Sequence, residues 1–285
     1  MVKNVWTSVN RALILSFILC SSVATADDFK NPERVSIQGY DGDAMEPFIS
    51  NDGKYLFFNN LNEPTVNTNL HYAARIDDVT FQYQGEIAAV NTPSLEGVPT
   101  LDGNGYFYFV SNRNYDKTFS TIYRGRFKDG IISDIELVSG ISRKKPGIVN
   151  FDVEVSPDGN RLYFVDSQFS PRGPRWAKLV IAERQGSVFK RLSNSNKILR
   201  NINTGKLQYA ACVSADELEL FFNRVNGPEG PVIYRSVRTS RSASFGKPQK
   251  VGAISGFVEG PTLSADGKSL YYHKKDGSKY SIYRV

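Results

Sequence analysis

The residues most able to do chemistry in this chain are carboxylates that return at one kind of position. Asp41, Asp43 and Glu46, then Glu96, then Asp152 and Glu154, then Glu259 each precede or open a short apolar segment, and Tyr209 takes the corresponding place once. Carboxylates converging in a confined space repel one another, raise some of their pKa values, and favour a cation or a polyhydroxyl ligand. Two of them about 5 to 10 Å apart across a sugar ring make the acid and base pair of a glycosidase. The competing reading is structural and is preferred: acidic residues that begin strands cap exposed amides and pair with neighbouring Arg and Lys. Asp52, Asp158, Asp216 and Asp266 are assigned to turns outright.

Other chemistries find little support. The only histidines, His71 and His273, lack the spacing of a metal pair and are read as surface residues. There is no Gly-x-Ser-x-Gly elbow and no glycine-rich phosphate loop leading into a helix. Of the two cysteines, Cys212 lies in the apolar run Ala210 to Val213 and reads as a small buried hydrophobe. No cofactor and no metal are expected.

The elements that position these residues follow from a repeat. EPFISNDGKYLFF (46–58), VPTLDGNGYFYFV (98–110), DVEVSPDGNRLYFV (152–165), AACVSADELELFF (210–222) and EGPTLSADGKSLYYH (259–273) share one phrase. Each has an alternating apolar segment, a Ser-x-Asp-Gly type of turn, then an aromatic-rich segment, which is a β-hairpin. The turn positions Gly53, Gly105, Gly159, Glu217 and Gly267 are 52, 54, 58 and 50 residues apart. Glu217 stands where the others have glycine, so a strained or different turn is expected there.

A third strand carries Ile-Tyr-Arg at 122–124, 233–235 and 282–284, with Leu70-His71-Tyr72 a looser form. A fourth is placed at Glu86 to Val90, Ile135 to Val138, Phe189 to Leu192 and Gln249 to Ile254. Four antiparallel strands per fifty-odd residues is the period of a β-propeller blade. The fifth repeat ends after its third strand, yet Phe29-x-x-Pro32-x-x-Val35-x-Ile37 nearly repeats Phe245-x-x-Pro248-x-x-Val251. The N-terminal strand is therefore expected to complete the last blade and close the ring. The fold class expected is all-β, one five-bladed propeller of four-stranded antiparallel blades over residues 27–285.

Residues 1–26 have the layout of a secretory signal peptide: Lys3 and Arg11, the short apolar run Ala12 to Cys20, and Ala24-Thr25-Ala26 before the cut. Bulky Leu19 before Cys20 argues against a lipid-anchored cysteine. Cleavage after Ala26 predicts a periplasmic or secreted monomer with no stable membrane insertion. The segment holds two of the chain's cations and no acid, so the formal charge of +6 falls to +4. A charge that mild, scattered over the repeats in an exported protein, excludes a nucleic-acid partner. Arg172, Arg175 and Trp176, beside the Pro/Gly-rich stretch 169–174, are candidates for a protruding contact loop.

Ser156-Pro-Asp-Gly-x-x-Leu-Tyr-Phe164, Ser264-Ala-Asp-Gly-Lys-Ser-Leu-Tyr-Tyr272 and Ser111-Asn112-Arg113 resemble the TolB-type, WD-like propeller repeat of bacterial envelope proteins. Val90-Asn91-Thr92-Pro93 with Glu96-Gly97-x-Pro99 is similar to the linker between blades in periplasmic members. The resemblance implies an exported binding or scaffolding module for an envelope protein or glycan. It would contact its partner through the channel face, with Asp43, Glu46, Glu96, Asp152, Glu154, Tyr209 and Glu259 as binding residues. The repeat occupies the chain after residue 26, without the separate N-terminal domain of TolB or an appended peptidoglycan-binding domain. Five-bladed propellers also include arabinanase-like glycoside hydrolases. Glu259-Gly260-Pro261 resembles the motif bearing their acid, and Glu46-Pro47 stands where their first Asp-Pro would be. The alternative is thus a carbohydrate-active enzyme, hydrolase or lyase, using Glu46, Asp152 and Glu259. Three departures bear on it: Glu46 replaces Asp, Glu259 falls in the fifth blade, and Glu-Gly-Pro also occurs in non-catalytic TolB-like repeats.

Overall fold

Alternating apolar residues around a Ser-x-Asp-Gly turn dictate hairpins, and hairpins are what the chain forms. The structure, a computed structural model, describes residues 29–63, 66–170 and 173–285. The leader expected at 1–26 lies outside the described residues, as does Arg172. Strands dominate, and the helices among the described residues are the four-residue turns Tyr115–Thr118 and Ser195–Ile198.

In four of the five turns a serine hydroxyl meets the aspartate carboxylate. Ser50 Oγ lies 2.7 Å from Asp52 Oδ1, and the Ser156–Asp158, Ser214–Asp216 and Ser264–Asp266 pairs are 2.6 Å apart. The same carboxylate accepts the backbone N–H two residues on, as at Lys54 and Leu218. These four aspartates are consumed by the turn itself.

The turn glycines have φ near +71 to +81°, and Glu217 adopts the same left-handed backbone at +59°. The turn type is therefore kept without the glycine. Glu217 offsets its strain through its side chain, which is fully buried between two repeats. Tyr163 donates to its Oε2 at 2.7 Å, and Arg241, Arg161 and Arg238 lie 3.3, 3.6 and 3.8 Å from its carboxylate.

Four sheets result. Met45–Ile49, Tyr55–Asn59, Leu70–Arg75 and Thr80–Glu86 run antiparallel in order, and Ser36–Gln38 joins Thr80–Glu86 in parallel. Glu96–Leu101, Tyr106–Ser111, Ile122–Lys128 and Ile131–Leu137 form the second. The third and fourth repeats share one nine-stranded sheet, joined by a parallel contact of Ala177 with Leu207. In the last sheet Val258–Leu263, Leu270–Asp276 and Lys279–Arg284 are completed by Glu33–Arg34, with Glu33 opposite Arg284 and Arg34 opposite Tyr283. The N-terminal phrase thus serves two sheets, since Ser36–Gln38 crosses to the first repeat. Three boundaries are corrected: the fourth strand is Thr80–Glu86 rather than 86–90 in the first repeat, Ile131–Leu137 rather than 135–138 in the second, and Gln249–Lys250 rather than 249–254 in the fourth. In the first, Gly85, with φ of +117°, interrupts the pairing, and Ile87 onward leads to the next repeat.

Burial is divided among five apolar clusters, each between successive hairpin units. Phe57, Phe107 and Phe109 pack the first unit on the second, and Phe29, Phe221 and Tyr272 the fourth on the fifth. The remaining cluster joins Leu56 and Phe58 of the first unit to Tyr271 and Ile282 of the last. Side chains of one strand alternate between the two neighbouring clusters, so each unit is stabilised from both faces.

Candidate functional site

The innermost strand of each repeat breaks its pairing at one place. The register slips between Met45 and Phe48, Gly97 and Thr100, Tyr209 and Cys212, and Glu259 and Thr262. The bulged pairs are Glu46-Pro47, Val98-Pro99, Ala210-Ala211 and Gly260-Pro261, and the first of each is left-handed, with φ between +48 and +63°. A bulge re-aims a side chain. In the third repeat the strand instead breaks between Ile148–Val149 and Val153–Val155, which frees Asp152. The five equivalent residues, Glu46, Val98, Asp152, Ala210 and Gly260, line one cavity of about 30 Å3.

Two carboxylates and three small or apolar residues thus share a space fit for about one or two water molecules. Gly260 suits its left-handed φ of +63° and leaves room for Glu46, whose Oε2 a Cβ at 260 would meet at 2.7 Å. Asp152 Oδ2 accepts the Ala210 N–H at 2.9 Å, which the left-handed Ala210 turns toward it. Glu259, one residue before the bulge, accepts the Tyr209 hydroxyl through Oε1. Its Oε2 lies 3.5 Å from His273 Nε2. His273 Nδ1 accepts the Glu46 N–H at 3.1 Å, so the ring proton resides on Nε2, facing Glu259.

Burial is the main cause of the electrostatics. It holds the Glu46 carboxyl well above the usual carboxylate range, helped by the charges of Asp152 and Glu259. Burial likewise pushes Asp152 up to about 7; the Ala210 N–H opposes that rise and Glu259 adds to it. The Tyr209 phenol is raised by burial and by the Glu259 charge. The arrangement favours the protonated carboxyls of Glu46 and Asp152 and places Glu259 between the Tyr209 hydroxyl and the His273 ring.

Of the expected residues, Glu46, Asp152, Tyr209 and Glu259 come together. Glu154 sits one step further down, at the waist between this cavity and a wider one of about 570 Å3 on the turn side. Thr100 donates to it at 2.9 Å, and burial pushes its carboxyl up to about 8 against that hydrogen bond and one from the Val213 N–H. Asp43 and Glu96 stay apart. Asp43 accepts the Tyr280 N–H at 2.7 Å. Glu96 is fully buried at the start of its repeat, where it accepts from Thr92 and Ser111 and pairs with Arg113 at 2.9 Å. Asp41 is exposed.

The reading of both histidines as surface residues is overturned. His71 is buried against Tyr40, Phe58 and Tyr83, and His273 is fully buried beside Glu259. The pairing carried the signal for the second: His273 and Glu259 lie seven residues either side of Asp266 in the turn and face each other in register. Two lines of aromatic rings also lead from Glu259 to the surface. One passes through Tyr209 and Phe151 to Phe169, the other through His273 and Tyr280 to Phe257. Phe169 and Phe257 are each 40% exposed. Among the described residues no group of three or more His, Cys, Asp or Glu has metal-binding geometry, and no helix is long and apolar enough to cross a membrane.

No protein-family model matches the chain, and no curated protein matches it. Among solved structures it is similar to Zg3597, a family 117 glycoside hydrolase of Zobellia galactanivorans, at a TM-score of 0.58 and 11% identity over 90% of both chains. A GH62 α-L-arabinofuranosidase catalytic domain from Coprinopsis cinerea aligns at 0.54 and 12%, covering 88% of this chain and 94% of that one. TolB from Acinetobacter baumannii aligns at 0.49 and 14%; 85% of this chain is covered, and it spans about half of that protein, 54%. At these identities the likeness is one of fold, a β-propeller.

Proposed function

We propose that this chain is an exported five-bladed β-propeller that binds an envelope protein or glycan across the face around Glu259. The ring of five rests on five repeats, five inter-repeat cores and the pairing of Glu33–Arg34 with Lys279–Arg284. The observation that carries the binding reading is size. The cavity among the carboxylates is about 30 Å3, whereas small-molecule sites run to roughly 300–1,000 Å3. A partner therefore meets this face from outside, over the exposed rings of Phe169 and Phe257, rather than entering it.

The convergence of Glu46, Asp152 and Glu259 favours a second reading, a glycoside hydrolase or lyase, because several carboxyls side by side, some held protonated by burial, suit acid and base roles. One pair of measurements separates the two. Wild-type protein and Glu259→Gln are assayed on a glycan panel with their melting temperatures, and both are used to pull down from envelope extract. Recovery of a specific partner with no cleavage supports binding. Turnover lost in Glu259→Gln at unchanged Tm establishes the enzyme and ends the binding reading.

A further inference from the structure

A third cavity, of about 310 Å3, lies beside the long hairpin Arg161–Ser170 and Gly173–Gln185 and shares no lining residue with the one at Glu46. Strand alternation builds it. Trp176, Lys178 and Val180 project on one face of Gly173–Gln185, while Ala177, Leu179 and Ile181 enter the core on the other. Register sets Gln168 opposite Trp176 and Asp166 opposite Lys178. Gln168 Oε1 accepts the indole N–H at 3.1 Å, which fixes the plane of a half-buried ring.

The charge of this cavity is one-sided. Its only carboxylate, Asp166, is already saturated: Oδ1 accepts from Asn150 and Arg191 at 2.9 and 2.7 Å, and Oδ2 from Arg143 and Arg191 at 2.7 and 2.8 Å. Those bonds anchor Arg143 through Nε while its side chain stays 55% exposed. Lys178 donates to the carbonyls of Asn203 and Gly205, at 2.9 and 3.3 Å, acceptors that leave its charge uncompensated. Arg200 is exposed and has no ion pair or hydrogen bond with any described residue. Three cations and a fixed indole face therefore surround a space at the small end of the ligand-pocket range, which holds one or two sugar rings.

We propose that this cavity binds an anionic sugar residue, its ring on the face of Trp176 and its carboxylate or sulfate toward Arg143, Lys178 and Arg200. Inorganic phosphate or sulfate alone would leave the indole without a use. A neutral sugar would leave the three cations without one. The assignment rests on the glycan arm of the function proposed above, but at a separate surface.

Calorimetric titration of the purified chain with a galacturonic acid trisaccharide, its methyl-esterified neutral form, a sulfated galactose disaccharide and inorganic sulfate tests it. One or both anionic sugars bind, more weakly as salt rises, and about ten-fold tighter than the neutral ester and inorganic sulfate. The better of the two identifies the anion as carboxylate or sulfate. Arg200→Glu, an exposed and unpartnered position, weakens binding about ten-fold or more at unchanged Tm, and Trp176→Ala weakens it while sparing any affinity for sulfate. Absence of binding by both anionic sugars, equal binding of the neutral ester, or indifference to Arg200→Glu overturns the proposal. Loss of anionic-sugar binding in Glu259→Gln but not in Arg200→Glu moves the ligand to the channel face and overturns it too. Failure to find any partner at the channel face, with Arg200-dependent binding intact, overturns only the reading of that face.

Discussion

The amide of Glu46 donates to His273 Nδ1 at 3.1 Å, tying the first repeat to the last directly beside the clustered carboxylates. The bond needs an unprotonated Nδ1 and orients Nε2 toward Glu259. His273→Phe keeps an aromatic ring, somewhat larger than imidazole, and removes the acceptor; His273→Gln, which can still accept at this position, serves as the control. The Phe variant should cost about 1–3 kcal/mol for a half-buried amide left unmatched, seen as a lower Tm by differential scanning calorimetry. An unchanged Tm would show that the bond contributes nothing.

Stability should fall as pH rises from about 5 to about 8.5. Asp152 and Glu154, with folded values of about 7 and about 8, and Glu46, also raised, bind protons in the folded state that the unfolded chain releases nearer pH 4. Their contribution is fully present below the unfolded values and is lost as pH passes through the folded ones. Thermal melts across that range should show a steadily falling Tm, by several degrees or more, from a loss on the order of several kcal/mol. Asp152→Asn should flatten the slope; a wild-type Tm rising with pH would contradict the buried-proton account.

Restoring glycine to the fourth turn should destabilise the protein. Glu217→Gly relieves a left-handed residue, a gain of under about 1 kcal/mol. It also strips Tyr163 and the buried Arg238 of their carboxylate, a loss of about 3 kcal/mol. Urea denaturation should therefore place the variant about 2 kcal/mol below wild type. A more stable Glu217→Gly would mean that the ion cluster is worth less than the strain.

Cys212 should be inert while the fold is intact. Burial, and then the Glu154 charge, raises its thiol well above the ordinary value. Iodoacetamide at pH 8 should label the Cys212 peptide about a hundred-fold more slowly in native protein than in urea. Comparable rates would place the thiol at the surface.

The hairpins were legible because turn chemistry is local: Ser-x-Asp-Gly specifies its own hydrogen bonds, and aromatic alternation does the rest. Glu46, Asp152, Tyr209 and Glu259 could be picked out because the repeat puts them at the start of its first strand, within one residue of the same place. What was hidden depends on bulges. A slip after Met45 or Tyr209 leaves no mark in the sequence beyond a proline or an alanine, yet it decides that Glu46 and Ala210 turn inward. Glu96 resembled its counterparts and still went elsewhere, since Arg113 and Ser111, only 15 to 17 residues on, were better partners than the axis. Reading Glu217 as a turn defect missed that three arginines distant in sequence converge on it.

The two-residue strand Glu33–Arg34, laid against Lys279–Arg284, also sets a timetable. Its partners are synthesised about 250 residues later, so the sheet they share cannot assemble until Lys279–Arg284 has been made. Contacts of such long sequence separation form slowly. A chain lacking only its final strand would be stalled short of its finished state.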